Sequence, residues 1–320
     1  MYKLSKLNIG FIGCHELSWY CLKTIIQQCK KYNDNLSLVI NMNEKLGQKY
    51  SSYQSFENIR NEYRFKYIKT NNINDEKIIE KLLGSKIDIL FVIGWHKIIK
   101  KEVFESAKYC LGFHTSLLPF NRGAAPVNWQ IIKGERKGGI TLFHLNEEVD
   151  TGDIISQKKF NIFSNETCKD IHEKSITCAI KLLREEWPNF KKGNLRRKMQ
   201  DHNKATLNKV RRAEDGLIDW SNDATNLKNW IRGLTHPYPG AFSYLGEKKV
   251  FIFDAEIAKE KGTYNPGEII KISCKNFLVG CGNGVIEIKK INFEGEPFTN
   301  ANIFKTLYQL KLGQKFISQN

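Results

Sequence analysis

The sequence lacks long hydrophobic runs and paired cysteine motifs. No stretch approaches about eighteen apolar residues, which argues against a transmembrane helix. The N-terminal stretch MYKLSKLNIGFIGCHE has a short apolar run that contains Asn8 and ends at Glu16, so it is more typical of a first buried strand than of a signal peptide. The eight cysteines form no CxxC pair and no Cys/His cluster with zinc spacing. We therefore expect a cytoplasmic protein with reduced thiols, no membrane segment and no metal site.

Motifs for nucleotide binding and serine hydrolysis are also absent. The turn after the first apolar run carries Gly10 and Gly13 but no third glycine, and the second run ends near Met42 without a carboxylate for a ribose. This does not match the GxGxxG fingerprint of NAD- or FAD-binding proteins. Neither a GxxxxGK[ST] phosphate loop nor a GxSxG nucleophile elbow occurs. The sequence therefore gives no support to a dinucleotide enzyme, a P-loop protein or a typical serine hydrolase.

The composition is that of a folded protein with an excess of positive charge. The 320 residues are 41% hydrophobic and 26% charged, and a chain of this length is expected to form two domains. Fifty Lys and Arg residues against 34 Asp and Glu give a net charge of +16. This charge fits a polyanionic partner, such as nucleic acid or a phosphorylated small molecule. It fits a general bias towards Lys, Asn and Ile equally well, so charge alone does not select a partner.

In the N-terminal half, short apolar runs alternate with amphipathic helical patterns. This alternation predicts βαβ units and therefore a Rossmann-like, mainly parallel sheet covered by helices. The predicted strands are 7–13, 36–40, 87–93, 109–114 and 139–145. The predicted helices are 17–29, about 75–83, 126–133 and 170–187, with Pro188 following the end of the last one.

The character of the chain changes after residue 190. Residues 191–212 are strongly basic and show no apolar period, which is typical of a linker or a wrapping segment. A helix is predicted over 223–234, and several short β-type runs with turn residues follow it. That pattern indicates a small antiparallel, OB-like β-barrel. The predicted domains are 1–205 and 206–320.

His114 and Asp150 are the candidate chemical groups in the most informative segment, 110–153. His114 ends a predicted strand, and ligands of open α/β sheets bind beyond the carboxyl ends of strands. A histidine there is placed to act as a base or an acid, and a nearby Asp150 carboxylate would orient its ring and stabilise the imidazolium. From residue types alone, a structural histidine remains the more common reading of such a pair.

The spacing of further residues in this segment resembles the formyltransferases that use 10-formyltetrahydrofolate. That family carries a His-x-Ser-Leu-Leu-Pro loop, then Arg-Gly-x-x-Pro, a Trp helix and an Asp-Thr-Gly. The matches here are His114, Ser116-Leu117-Leu118-Pro119, Arg122-Gly123, Pro126, Trp129 and Asp150-Thr151-Gly152. The runs RRAEDGLIDW and HPYPGAFSY resemble the second, barrel-like domain of the same family, so the likeness extends over nearly the whole chain.

The resemblance implies transfer of a formyl group from the folate to an amine, with 10-formyltetrahydrofolate as co-substrate. It implies that His114 is the general base and Asp150 its partner. The positions that match the family's pterin-binding stretches are Ile93, Gly94, Trp95, Ser116, Leu117, Leu118, Pro119, Asn146, Glu147, Glu148 and Val149. Candidates for substrate contacts are Gly112, Arg122 and Asn128, although Arg122 could equally fix its own loop.

Gly112 departs from the family pattern. The family usually has Asn two residues before the histidine, where its amide holds the formyl oxygen. Losing one such donor typically costs a factor of about 10²–10³ in rate. Three outcomes stay open: a replacement donor from His96, Asn128 or a water, a slow enzyme, or hydrolysis of formyl-folate, because the hydrolase branch also lacks this Asn.

Three acceptors compete for the formyl group: a nucleotide-linked amino sugar (a 4-amino-deoxy sugar on dTDP or UDP), the amine of methionyl-tRNA, and water. The tRNA enzymes carry a flexible basic insertion after the second strand, whereas residues 43–64 here are rich in Tyr, Ser and Asn and pattern like a docked helix. The sequence therefore favours the amino sugar. A homodimer is plausible by resemblance, and a binding protein with a degenerate pocket is the non-enzymatic alternative.

Overall fold

The computed structural model describes residues 6–260 and 262–318. The chain forms two compact units. The first unit comprises the residues up to Pro126 together with Lys137–Phe160 and His172–Asn208. The second comprises Val127–Arg136, Asn161–Ile171 and the residues from Lys209 onward.

A seven-stranded sheet forms the centre of the first unit. Its strands are β1 (Asn8–Gly13), β2 (Asn35–Met42), β3 (Lys66–Thr70), β4 (Ile87–Ile93), β5 (Ala107–His114), β7 (Lys137–His144) and β8 (Ile154–Asn161), and the spatial order is β3-β2-β1-β4-β5-β7-β8. The first five strands are parallel to their neighbours, and β7 runs antiparallel to β5. A short pair, β6 (Arg122–Gly123) and β9 (Leu207–Asn208), lies outside this sheet. The prediction of a mainly parallel α/β unit is confirmed.

The helices of this part of the chain follow the strands, as βαβ units require. They are α1 (Glu16–Tyr32), α2 (Glu44–Gly47), α3 (Glu57–Glu62), α4 (Glu76–Gly84), α5 (Lys101–Phe104), α6 (Pro126–Ile132) and α7 (Cys168–Lys191). The prediction that Pro188 lies beyond the end of α7 is wrong, because the helix continues through it to Lys191. Asp34 anchors this last turn: it accepts a hydrogen bond from the Trp187 indole and forms a buried ion pair with Lys191.

The carboxyl ends of β1, β4 and β5 lie at one edge of the sheet. Gly13 pairs with Ile93 across β1 and β4, and Val92 pairs with Gly112 across β4 and β5. In the sheet, β2 and β3 lie on one side of β1, whereas β4 and β5 lie on the other side. The order of strands therefore reverses between β1 and β4. In open α/β sheets the crevice at this reversal is where ligands bind.

The second unit contains an antiparallel sheet. Its strands are β10 (Ala241–Leu245), β11 (Lys248–Ile257), β12 (Ile269–Ile272), β13 (Phe277–Gly280), β14 (Val285–Phe293), β15 (Thr299–Asn300) and β16 (Phe316–Ile317), and its helices are α8 (Ala224–Leu234) and α9 (Ala301–Leu307). The two ends of the sheet meet, because Phe316 N–H donates to the Gly267 carbonyl and Ile269 N–H donates to the Gln314 carbonyl. The prediction of a small antiparallel barrel is confirmed.

Across the described residues, the helices are all too short or too polar to span a lipid bilayer.

Candidate active site

His114 is the last residue of β5, and its ring is buried. The ring Nε2 lies 2.6 Å from the carbonyl oxygen of Asn121. The opposite nitrogen, Nδ1, lies 3.4 Å from Oδ2 of Asp150. The structure therefore brings together the two residues that the sequence singled out for chemistry.

The backbone of the Asp150-Thr151-Gly152 motif explains its residue types. Asp150 has φ +56°, a left-handed conformation that Asp and Asn adopt more readily than most residues. Its Oδ2 also accepts a hydrogen bond of 2.8 Å from Gly123 N–H, which fixes the carboxylate beside the ring. A Cβ atom at Gly152 would lie 1.8 Å from the carbonyl oxygen of His144, so only glycine fits there.

Each ring nitrogen of His114 faces an acceptor oxygen, so each contact favours a proton on its own nitrogen. A carbonyl oxygen only accepts hydrogen bonds, so the contact with Asn121 places a proton on Nε2. A carboxylate facing Nδ1 favours a proton on that nitrogen as well. The imidazolium form satisfies both contacts. For the ring to act as a base at Nε2, the Asn121 contact must open and the remaining proton must sit on Nδ1, next to Asp150.

Gln200 holds the Asp150 turn from behind, and sequence reasoning did not identify it. Its side-chain amide donates hydrogen bonds to the carbonyl oxygens of Asp150 (2.9 Å) and Gly152 (2.7 Å). Its Oε1 accepts two bonds from the Arg122 guanidinium, at 3.1 and 2.7 Å. Arg122 thus fixes the loop through Gln200, which was one of the two roles expected for it.

Gln200 belongs to residues 192–208, which we call the return segment. Lys198 and Ile154 exchange backbone hydrogen bonds, and Thr206 contacts the loop after His114 through its hydroxyl, which accepts from Asn121 N–H, and through its carbonyl, which accepts from Arg122 N–H. Of the two expectations for this basic stretch, the structure shows wrapping around the first unit. No periodic signal could have revealed this, because the contacts are mainly backbone contacts.

Gly112 lies under the side chain of Leu145. A Cβ atom at position 112 would approach Leu145 Cδ2 to 2.8 Å and the Val92 carbonyl oxygen to 3.1 Å. Leu145 therefore fills the space into which a longer side chain at position 112 would project. The absence of an Asn side chain at position 112 therefore leaves no cavity at this end of β5.

A cavity of about 820 Å³ lies beside Leu145 in the first unit. Its apolar wall includes Phe104, Cys110 and Leu145, and its cations include Lys101, Lys108 and Arg197. Asn146, Glu147, Glu148, Thr151 and Gly152 line the cavity as well. Small-molecule sites of about 300–1,000 Å³ are typical in proteins, so this cavity has the volume of a ligand site, and its wall combines apolar, cationic and acidic side chains.

The other expected pterin-binding residues occupy different surroundings. Val149 is 62% exposed, and the 116–119 loop is tied down within the protein. Ser116 Oγ donates to the Phe120 carbonyl, and Leu118 is buried and donates from its N–H to Thr141 Oγ1. Leu117 and Pro119 belong to the same loop, and neither is among the residues lining the cavity. These contacts make the loop a rigid neighbour of His114.

Trp95 and Asn128 each bury a polar atom that lacks a hydrogen-bond partner within residues 6–260 and 262–318: the indole Nε1 of Trp95 and the Oδ1 of Asn128. Trp95 follows Ile93 and Gly94 at the end of β4. Asn128 lies in the second unit, where its amide nitrogen donates to the Gly233 carbonyl. The structure thus groups Trp95 with the strand ends of the first unit and assigns Asn128 to the other unit.

The rings of His15 and His172 are neighbours in the first unit. Both rings are half-buried and pack against each other with ring centroids 5.8 Å apart. The ring of His96 lies 6.0 Å from that of His15 and stacks on Tyr50 at 4.5 Å. The available signal was the position of His15, two residues after the end of β1. No group of three or more His, Cys, Asp or Glu side chains in the described chain is arranged to hold a metal ion.

Comparisons with known proteins agree with this architecture. The family model Formyl transferase matches residues 14–185, more than half of the chain, and the model Formyl transferase, C-terminal domain, matches 211–307. A methionyl-tRNA formyltransferase of Citrifermentans bemidjiense is 30% identical over 312 residues, covering 97% of this chain and 96% of the relative. Two solved structures share the fold at 19% identity. WlaRD, a sugar 3N-formyl transferase, has a TM-score of 0.68 (92% of this chain and 100% of that chain covered). An N-formyltransferase of Helicobacter canadensis has a TM-score of 0.67 (88% and 98% covered).

Proposed function

Because this chain belongs to the formyl transferase family, we propose that it transfers the formyl group of 10-formyltetrahydrofolate to the amine of a nucleotide-linked amino sugar. Formyl transfer from the folate is the activity of the family, and the identity of the amine is the open part of the proposal. The observation that supports it most directly is the His114–Asp150 pair at the carboxyl end of β5.

The proposed folate site is the cavity beside Leu145. The residues after His144 would contact the pterin ring, and Lys101, Lys108 and Arg197 would meet the carboxylates of the glutamate tail. The turn that carries Asp150 continues directly into this wall through Thr151 and Gly152. The formyl donor and the reactive pair would therefore share one loop, which is what positioning of the reacting atoms requires.

His114 and Asp150 have complementary roles in this proposal. An amine attacks a formyl carbon only when it is neutral, so a base must remove a proton during the reaction. When the Asn121 contact opens and the Nε2 proton passes to solvent, the neutral ring keeps one proton on Nδ1 beside Asp150, and Nε2 can take the proton of the amine. The imidazolium then stabilises the developing oxyanion, a task that would otherwise be shared with an amide at position 112.

The region after β2 supports a small acceptor over tRNA. In the tRNA enzymes this region is a flexible basic insertion, whereas here it contains the helices α2 and α3. Phe56 and Ile59 bury their side chains in the core of the first unit, and Glu57 pairs with Lys69 at 2.8 Å. A docked segment of this kind is suited to a compact substrate.

Methionyl-tRNA is the second candidate acceptor, because the 30% identity to a methionyl-tRNA formyltransferase extends over 97% of this chain. The basic return segment would supply phosphate contacts for such a partner. Hydrolysis of the formyl-folate is the third candidate, and Gly112 is its support.

One assay separates the three. The protein is incubated with 10-formyltetrahydrofolate and, in parallel, with dTDP- and UDP-linked amino sugars, with charged initiator tRNA, or with no acceptor, while tetrahydrofolate formation is followed. We expect formylated sugar with at least one nucleotide sugar. Product only with tRNA would replace the proposed acceptor, and release that is equally fast without any acceptor would indicate a hydrolase.

A further inference from the structure

The return segment forms part of the wall of the cavity beside Leu145. Arg197, Met199 and His202 line this cavity, and all three belong to the first unit. The segment reaches the cavity along β8, because Lys198 forms an antiparallel bridge with the first residue of that strand. In an extended chain alternate side chains point to the same face, so Arg197 and Met199 share the face opposite to Lys198.

Two of these side chains are available to a ligand in the cavity. Met199 is 79% exposed, and its flexible thioether is suited to packing against flat rings. Nδ1 of His202 lies 3.5 Å from both terminal nitrogens of the Arg122 guanidinium. A guanidinium only donates hydrogen bonds, so Nδ1 is the acceptor and the neutral ring carries its proton on Nε2. Within residues 6–260 and 262–318 no hydrogen bond engages that Nε2–H group.

The same segment carries the amide that holds the Asp150 turn. Gln200 lies between two of the cavity residues in sequence and is 5% exposed. Its amide donates to the carbonyl oxygens of Asp150, at 2.9 Å, and Gly152, at 2.7 Å. Thr151 and Gly152 line the same cavity from the turn. A molecule that fills the cavity therefore touches both partners of these hydrogen bonds, the turn and the return segment.

This arrangement couples occupancy of the cavity to the reactive pair. A ligand stabilises the arrangement of the protein that binds it, by mass action. A ligand that contacts the return segment would therefore favour the state in which Gln200 grips the turn. That turn holds the Asp150 carboxylate 3.4 Å from Nδ1 of His114.

We propose that Met199 and His202 of the return segment bind the formyl donor, and that the bound donor in turn holds Gln200 on the Asp150 turn. This inference rests on the proposed function, because its ligand is the folate of that proposal. Met199 packs against a flat ring of the folate, and His202 donates from Nε2 to one of its oxygen atoms. Arg197 contributes less, since it already pairs with Asp153 at 3.2 Å.

The first measurement is the Kd of 5-formyltetrahydrofolate, a stable isomer of the donor, by calorimetry on the full chain. Met199→Ala should raise this Kd by about two- to tenfold, the effect of one lost sulfur–ring contact. His202→Ala should raise it by about the same factor, which is typical of one lost hydrogen bond. Asn203→Ala is the matched control, because Asn203 is exposed, follows His202 directly and is not among the residues lining the cavity.

Thermal unfolding without ligand checks that each variant keeps its fold. Because the Met199 side chain is exposed, Met199→Ala should unfold at the same temperature as the unsubstituted protein, so a raised Kd in this variant reports a lost ligand contact. It carries the test if His202→Ala lowers the unfolding temperature by releasing Arg122.

The second measurement is limited digestion with trypsin, which cleaves after Lys and Arg. Residues 196–198 supply three exposed sites in the return segment. Saturating 5-formyltetrahydrofolate should slow cleavage there at least tenfold, while cleavage after Lys275, an exposed residue of the second unit, keeps its rate. Gln200→Glu should reduce this protection, because it loses the two bonds donated to the Asp150 turn.

An unchanged Kd in both Met199→Ala and His202→Ala, or equal cleavage of the return segment with and without the analogue, would overturn this inference. If amino sugars are formylated in that case, the proposed function stands without it. If the analogue binds through these residues and protects the segment but only charged tRNA is formylated, the proposed acceptor fails while the donor site stands.

Discussion

Leu145 occupies the space that a side chain at Gly112 would enter, with its Cδ2 atom 2.8 Å from the position of a Cβ there. Leu145 also lines the cavity proposed for the folate. The two positions therefore form a pair, and a change at one has to be judged together with the other.

Gly112→Asn alone is expected to destabilise the protein by about 1–3 kcal/mol, because the added atoms crowd Leu145 and the Val92 carbonyl. The double variant with Leu145→Ala should recover stability and gain rate, since the amide can then reach the developing oxyanion. The gain can approach about 10²–10³ in kcat. Urea unfolding and steady-state kinetics measure both effects, with Leu145→Ala alone as the control. If Gly112→Asn is as stable as the unsubstituted protein, Leu145 moves aside without a measurable cost in stability.

Asp150→Asn should lower kcat by about 10²–10⁴ without unfolding the protein. Asn tolerates the left-handed backbone at this position, so the turn is retained while the charge beside Nδ1 of His114 is removed. Asp201→Asn is the matched control, because Asp201 lies in the return segment and pairs only with exposed Lys204 among the ion pairs of the described chain. Equal rates in the two variants would exclude Asp150 from the chemistry.

Gln200→Leu should lower both stability and kcat, since it leaves Arg122 and two carbonyl oxygens without their partner. An unpaired buried polar group typically costs about 1–3 kcal/mol. Gln200→Glu keeps an acceptor for Arg122 but loses the two donated bonds. We expect it to preserve most of the stability and still reduce kcat. Circular dichroism melts and kinetics at saturating substrate distinguish these effects; a Glu variant with full activity would contradict a positioning role.

Acid should destabilise the protein below the ordinary histidine pKa of about 6.5, because the pKa of His172 in the folded state is lowered to about 4. Between these values the unfolded chain binds a proton that the folded chain does not, so stability falls as pH falls. His172→Gln should reduce that slope by up to about 1.4 kcal/mol per pH unit. Denaturant unfolding from pH 4.5 to 7.5 measures this slope of the free energy of unfolding. An unchanged slope in the variant would mean that His172 does not cause it.

Lys191→Met should destabilise the protein by about 3–5 kcal/mol, because it leaves the fully buried Asp34 carboxylate without its cation. The neighbouring Lys192→Met is the control, since Lys192 is exposed. Guanidinium unfolding of the two variants gives the difference. Similar midpoints would mean that the hydrogen bonds from Leu7 N–H and the Trp187 indole suffice for Asp34.

The fold of both units could be predicted because periodic burial produces a periodic sequence. The strand Ile87–Ile93 is apolar almost throughout because it is covered on both faces, and the short runs after residue 240 alternate with turn residues. The extent of α7 was missed because Pro188 normally ends a helix, whereas contacts of Trp187 and Lys191 with Asp34 hold the last turn here.

The candidate pair of His114 and Asp150 could be named in advance because His114 ends a strand, Asp150 follows one, and both belong to a dense motif. Gln200 could not, since one glutamine within a basic stretch carries no pattern. The neighbourhood of His15, His96 and His172 was missed for a related reason. These residues are distant in sequence: the pairing of β1 with β4 brings His15 near His96, and the packing of α7 brings His172 near His15.

The return segment also bears on how this enzyme can be divided. The N-terminal family match ends at residue 185, yet the amide that grips the Asp150 turn arrives fifteen residues later. A fragment that ends at residue 185 would keep every strand of the first sheet but would lose Gln200, which holds the Asp150 turn. Proteolytic cleavage between residues 192 and 199 would therefore abolish catalysis before the sheet unfolds.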